Sequence, residues 1–158
     1  MKKGILAAVS LFTGLAGGAF TANLAMKRKA SSNNKELDMY KRCYNIMCQW
    51  MIYKQKEISL ERYFVQRGYR SIAIYGIGRL GSLLYDDLKS SDIEIKYGID
   101  LDPFCSYPGL KIIQPEDIQE SVDVIVVTPV LVFDEITQKL SQITDIPVVS
   151  IEDLIYEI

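Results

Sequence analysis

Three glycines at 76, 78 and 81 and an aspartate at 100 are the residues of this 158-residue chain whose types and spacing point to chemistry. In Gly76-Ile77-Gly78-Arg79-Leu80-Gly81 the first glycine permits a tight turn and the second lets backbone approach a pyrophosphate. The third lets a helix lie close on the strand that precedes it. A helix that starts in such a loop offers free N–H groups and the positive end of its dipole to an anion. Asp100, 19 residues after Gly81, has the spacing of the carboxylate that accepts hydrogen bonds from an adenosine ribose. An acid at that place disfavours a 2′-phosphate, so the expected dinucleotide is NAD rather than NADP. Asp102 is the alternative ribose partner, but Asp100 directly ends the strand. Arg79 either reaches a phosphate or lies in solvent, and Leu80 beside it is expected among the cofactor-binding residues of the loop while also opening the apolar face of the helix.

The composition excludes several other chemistries. The chain has no histidine, which removes Ser-His-Asp and Cys-His nucleophiles and histidine-based metal sites. Cys43, Cys48 and Cys105 are odd in number and lack CxxC spacing, which fits a reducing compartment better than a disulfide framework. Cys43 and Cys48 stand about 140° apart on a helix, too far round to share a metal or a disulfide. The net charge of −2 averages two unlike parts, because residues 1–35 carry six bases and no acid. From residue 36 onward 12 bases face 20 acids, and residues 90–158 hold 3 bases against 14 acids, which argues against a nucleic-acid partner.

The elements that must position the glycines can be read from periodicity. Residues 71–76 (SIAIYG) form an apolar, β-prone run leading directly into the glycine loop, and Leu80, Leu83, Leu84 and Leu88 continue it as a helix. Residues 93–100 (IEIKYGID) read as a second strand, 110–113 as a third, 122–127 (VDVIVV) as a fourth and 147–151 as a fifth. Near-continuous Val/Ile runs are the mark of parallel strands buried on both faces. A helical turn at 115–119, a helix over 133–143 and a terminal helix begun by Glu152 complete the pattern. The fold class is therefore α/β, a Rossmann-like parallel sheet of order 3-2-1-4-5 over 69–158, with any ligand at the switch point near the glycine loop and Thr128-Pro129. The segment 101–109 between the second and third strands is too short and too broken by proline for a normal crossover helix, and Cys105 within it reads as an ordinary loop thiol.

Upstream, 30–68 is expected as a linker and helical segment. Leu37, Tyr40, Tyr44, Met47 and Met51 recur at three- and four-residue intervals and predict an amphipathic helix over 35–56, with Asn33 and Glu36 in capping-box spacing. Met39, Cys43, Cys48 and Trp50 widen its apolar surface, so it is expected to pack on the domain, a second copy or a partner enzyme. A short helix capped by Ser59 runs over 60–66 and ends at Gly68. Residues 1–29 are expected to be a transmembrane anchor with basic flanks. Residues 4–26 are 23 positions without a charge, enough to cross about 30 Å of hydrocarbon. The flanking bases lean weakly toward a cytoplasmic C-terminal side, giving a single-pass protein of the cell membrane. A cleaved signal with Gly17-Gly18-Ala19 as its cleavage site is the rival. Ser10, Gly14, Gly18 and Ala22 form a small-residue stripe, either a helix-packing face or the chance product of a Gly- and Ala-rich run.

The stretches IAIYGIGRLG at 72–81, KYGIDLD at 96–102, YPGLKIIQPEDI at 107–118, DVIVVTPV at 123–130 and PVVSIEDLI at 147–155 resemble the small Rossmann domains of bacterial polysaccharide and nucleotide-sugar biosynthesis proteins. A similar layout occurs in the sensing domain of capsule-type sugar-nucleotide dehydratases and in the C-terminal domain of sugar C-methyltransferases. The resemblance implies binding of NAD or a nucleotide-sugar, or service as a structural companion to a catalytic domain. The chain departs from a short-chain dehydrogenase in lacking a Tyr-x-x-x-Lys pair after the fourth strand, and it carries no methyltransferase or glycosyltransferase module. Three functions follow in order of expectation: a membrane-anchored ligand-binding accessory or sensor, an interaction scaffold whose body no longer binds ligand, and an oxidoreductase.

Overall fold

The computed structural model describes residues 34–119 and 121–158, and the chain divides into two compact units, 1–41 and 42–158. In the first unit the described residues, 34–41, are helical, and Leu37, Met39 and Tyr40 are exposed. They begin the helix α1, which spans 34–55. The expected membrane anchor, the polar joint at 30–33 and the Ser10/Gly14/Gly18/Ala22 stripe lie outside the described residues. No helix among the described residues is long and apolar enough to cross a membrane.

The second unit is a five-stranded sheet, all of whose pairings are parallel: β1 (Ser71–Tyr75), β2 (Glu94–Ile99), β3 (Ile112–Ile113), β4 (Val124–Val127) and β5 (Val148–Ser150), in the order β3-β2-β1-β4-β5. This is the order expected from the alternation of apolar runs and helical patterns. The helices are α2 (Glu61–Gln66), α3 (Arg79–Leu88), α4 (Phe133–Leu140) and α5 (Ile151–Tyr156), with 3-10 turns at Pro115–Asp117 and Val130–Val132. Strand ends are shorter than the apolar runs that announce them. Leu110 and Val122 are buried but lie outside the ladder, because hydrophobicity reports burial and not backbone pairing.

Alternation along the central strands divides the interior in two. Ile72, Ile74, Val124 and Val126 face one layer, formed by Ile46, Trp50 and Tyr53 of α1, Phe64 of α2, Leu80, Leu84 and Leu88 of α3, and Ile151, Leu154 and Ile155 of α5. Ala73, Tyr75, Ile125 and Val127 face the other, with Tyr97, Ile99 and the α4 residues Ile136 and Leu140. Burying each such Val or Ile side chain stabilises by about 1.5–3 kcal/mol relative to exposure, which is why both faces must be covered. Trp50 keeps its polar edge satisfied by donating from Nε1 to Asp87 Oδ2 at 2.7 Å, and the Tyr53 hydroxyl donates to the Ile155 carbonyl at 2.9 Å. The β2-to-β3 connection contains no helix: Tyr107 and Leu110 form an isolated antiparallel bridge there instead.

Local signals set several boundaries. Ser59 Oγ accepts the Glu61 amide at 3.2 Å at the start of α2, and Gly68 takes φ +75° after its end. The left-handed φ is the conformation that stops a helix cheaply only at glycine. At the other end of the chain Ser150 Oγ accepts the Glu152 amide at 3.0 Å, so α5 begins one residue before the expected Glu152 and is capped by the last residue of β5.

Candidate functional site

The glycine loop joins the carboxyl end of β1 to the first turn of α3, at the point where the chain's order in the sheet reverses between β1 and β4. In parallel α/β sheets that crevice is where ligands sit. Gly76 turns the chain there with φ +85°, and a Cβ on it would lie 2.8 Å from Pro129 Cγ and 3.1 Å from Thr128 Oγ1. Gly81 is more tightly constrained, since its Cβ would lie 2.1 Å from the Gly76 carbonyl oxygen. These two glycines are required by the chain's own packing.

Gly78 is different. Its φ of −78° and ψ of −156° are open to any residue, and a Cβ on it meets nothing within 4 Å. It is exposed, as is Arg79 beside it, whereas Leu80, expected among the cofactor-binding residues, has its side chain buried in the core beneath α3, because it belongs to the apolar face of that helix. Gly78 is also the N-cap residue of α3 and has no side chain with which to cap it, so no side chain satisfies the first amides of that helix. The first turn carries no acid, and its one charge is the cation Arg79 at the positive end of the helix dipole.

Thr128 and Pro129 follow β4 and brace the loop from behind. The Thr128 hydroxyl donates to the Gly76 carbonyl at 2.6 Å and its amide to the Tyr75 carbonyl at 3.0 Å, while the Pro129 ring lies against Gly76. Thr128 is buried, so its hydroxyl holds the turn. Asp100 closes the third side. Its Oδ2 accepts the Ile77 amide at 2.9 Å and its Oδ1 the Asp102 amide at 3.0 Å, so the strand-end acid is fastened to the glycine loop itself. Each carboxylate oxygen has a second lone pair, which leaves acceptor capacity toward the outside. Asp102 is exposed and accepts the Phe104 amide at 3.0 Å through Oδ1. The structure thus brings Gly76, Gly78, Arg79, Gly81, Asp100, Thr128 and Pro129 to one end of the sheet.

Three features of this neighbourhood were not anticipated from sequence. Ile77 turns inward, and Gly98 on β2 makes room for it, since a Cβ on Gly98 would meet Ile77 Cδ1 at 2.9 Å. The Cys105 thiol faces Asp100; burial first, then the charge and hydrogen bond of Asp100, push its pKa up. It is therefore a neutral thiol rather than a nucleophile at neutral pH. Phe104 is 90% exposed and Leu101 65% exposed, two apolar side chains immediately beyond the strand-end acid. An exposed apolar residue in a loop carries no periodic signal, so sequence reading could not have singled out Phe104. On the inner side of the sheet, burial first and then the Asp100 and Glu116 carboxylates push the Tyr75 phenol up, keeping it protonated.

Among the described residues no cluster of three acidic or thiol side chains is arranged to hold a metal ion. Two concavities among the described residues lie away from the glycine loop. One, of about 230 Å³ at the ends of β4 and β5, includes Arg42, Phe133, Ser150 and Glu152, with Arg42 Nη1 3.2 Å from Glu152 Oε2. Another is an apolar groove between α1 and α3. Comparison with protein-family models, with curated proteins and with solved structures gives no match, so what this end of the sheet can do is argued from its own residues.

Proposed function

We propose that the loop between β1 and α3 binds the phosphates of a nucleotide, with NAD or a nucleotide-sugar as the ligand class, and that the chain serves as an accessory or sensor module in cell-surface polysaccharide or nucleotide-sugar metabolism. The observation that carries the reading is Gly78. Gly76 and Gly81 are glycines for internal reasons, whereas Gly78 has ordinary backbone angles and open space before it. A residue free to be anything, at a helix start without a side-chain cap, is explained by a ligand whose phosphate must come as close as backbone allows.

The other residues fall into supporting roles. The first-turn amides of α3 donate to the phosphate and Arg79 adds a charge beside them. Asp100, held by the Ile77 and Asp102 amides, turns its remaining lone pairs to a ribose. Leu101 and Phe104 offer an apolar surface for a base. Residues 4–26 anchor the chain in the cell membrane, with the sheet domain on the cytoplasmic side. Titrating the full chain in detergent with NAD and with UDP-sugars tests the binding. The expected result is a saturable heat with one site per chain, weakened at least tenfold in Gly78→Val while the circular dichroism shows the fold retained; no heat and no thermal stabilisation with any of these ligands sinks the reading.

A scaffold without a ligand is the second reading, and one observation favours it: both Asp100 oxygens already accept backbone amides, so the acid has a structural use of its own. Under that reading Gly78→Val alters neither ligand heat nor the protein's cellular role.

A further inference from the structure

Helix α1 carries two apolar stripes. Cys43, Ile46, Trp50 and Tyr53 follow one another at intervals of three, four and three and pack into the core of the second unit. Tyr44, Met47 and Met51 follow at three and four, about 100° further round the helix, and are 69%, 48% and 59% exposed. Beside them Leu83 of α3 is also exposed, and a groove of about 380 Å³ runs past Met47, Trp50, Met51, Leu83 and Asp87. In the sequence the same spacing continues back through Tyr40 and Leu37, so five apolar residues occupy successive a and d positions over two heptads and the start of a third. Lys54, the next d position, pairs with Asp87 and ends the run. A repeat of 3.5 residues is the pattern that a second helix lying nearly alongside requires.

We propose that this stripe is the contact surface for a second copy of the chain, with α1 packing in parallel and in register against its symmetry mate. The pattern is self-complementary, as a twofold interface must be. Charge agrees with the parallel direction: in such a pair each g position faces the e position five residues later on the second copy, which sets Glu36 against Lys41 of that copy. The following g positions, Cys43 and Trp50, turn into the core of their own chain, so Glu36 with Lys41 is the g–e contact that sets the direction. An antiparallel pair sets g against g and e against e, and offers no Glu36–Lys41 contact. The stripe that packs into the core lies about 100° away, so a helix laid on Tyr44, Met47 and Met51 leaves Ile46, Trp50 and Tyr53 in place. The parallel direction also rests on reading 4–26 as an anchor, since two chains entering one membrane the same way present α1 in the same sense.

Light scattering on the full chain in detergent, corrected for the micelle, tests the proposal. The wild type is expected at twice the 17.9 kDa chain mass, and Met47→Glu with Met51→Glu is expected to halve it while the circular dichroism and melting transition stay as they were. Both methionines are exposed, so the charges meet water in the monomer. In a Cys48→Ser background, oxidation is expected to cross-link Met47→Cys across the seam and to leave Asn45→Cys, on the outer side of the helix, uncross-linked. A monomeric wild type overturns the proposal, whether the groove is then covered by residues 4–26 of the same chain or by a different protein. So does a dimer that survives the double glutamate variant, or equal cross-linking at 45 and 47. Nucleotide titration reads a separate site, so either reading can fail alone.

Discussion

Two strand-to-helix junctions at the same end of the sheet begin their helices in opposite ways. Where β5 passes into α5, Ser150 caps the helix with its own hydroxyl, and Glu152 and Asp153 place negative charge on the first turn. Where β1 passes into α3, the cap residue is Gly78, no side chain caps the helix, and the first turn holds Arg79 and no acid. One junction satisfies the amides and the dipole from within the chain; the other leaves both to whatever approaches from outside. The α2 and α4 helices also carry acids in their first turns, Glu61 in one and Asp134 and Glu135 in the other. The glycine loop is thus local chemistry set apart from the way this chain starts its other described helices.

Breaking the β1–α3 junction from within has the largest expected effect. Gly81→Ala places a Cβ 2.1 Å from the Gly76 carbonyl oxygen, far inside contact distance. The helix must lift from the strand, and a loss of about 3 kcal/mol is expected in urea denaturation. Gly78→Asp sharpens the comparison by making this junction resemble the other. An aspartate at the N-cap accepts a first-turn amide and favours the dipole, so stability is expected to rise by about 0.5–1 kcal/mol. The same carboxylate would occupy the proposed phosphate position, and nucleotide affinity is expected to fall more than tenfold in calorimetric titration. A variant that is less stable would show that the first turn of α3 is not open.

Ser150→Ala is the converse change. It removes the hydroxyl that accepts the Glu152 amide at 3.0 Å, and a loss of about 1 kcal/mol in denaturation is expected, with ligand heat untouched. The smallest effect concerns the opposite end of the sheet. Asp123 Oδ2 accepts the Arg70 and Ser71 amides at 2.8 Å each, and these bonds, Arg70 first, hold its pKa below the usual carboxylate value. A lowered folded pKa means that the contribution is complete above the unfolded value of about 3.9 and is lost as pH falls through the folded one. Asp123→Asn is expected to flatten the stability profile below that pH and to leave both junctions as they are.

Much of the fold was legible because its signals are local. The Val/Ile run at 124–127, the alternation of strands with helical patterns, and Gly68 with its left-handed φ each follow from a few neighbouring residues. The strand order follows from connection rules that apply to any parallel sheet of this kind. Less legible were the edges: β3 shrank to Ile112–Ile113, and α4 ended at Leu140 rather than at 143, because pairing and capping partners come from distant segments. The glycine motif was visible as a motif, but spacing alone could not separate its three glycines. Asp100 was equally visible as a strand-end acid, yet its bonds to Ile77 and Asp102 were not, since one spans 23 residues.

The sequence by itself determined a parallel α/β domain, an acidic body behind a basic and apolar N-terminal stretch, and the absence of histidine chemistry, because composition and periodicity are properties of the chain before it folds. Only the tertiary structure decided which glycines serve packing and which faces open space, and that Thr128 and Asp100 hold the loop from two sides. It also decided which stripe of α1 is buried and which stays exposed. Each of these depends on what stands opposite a residue after folding, and spacing along the chain does not say which neighbour that is.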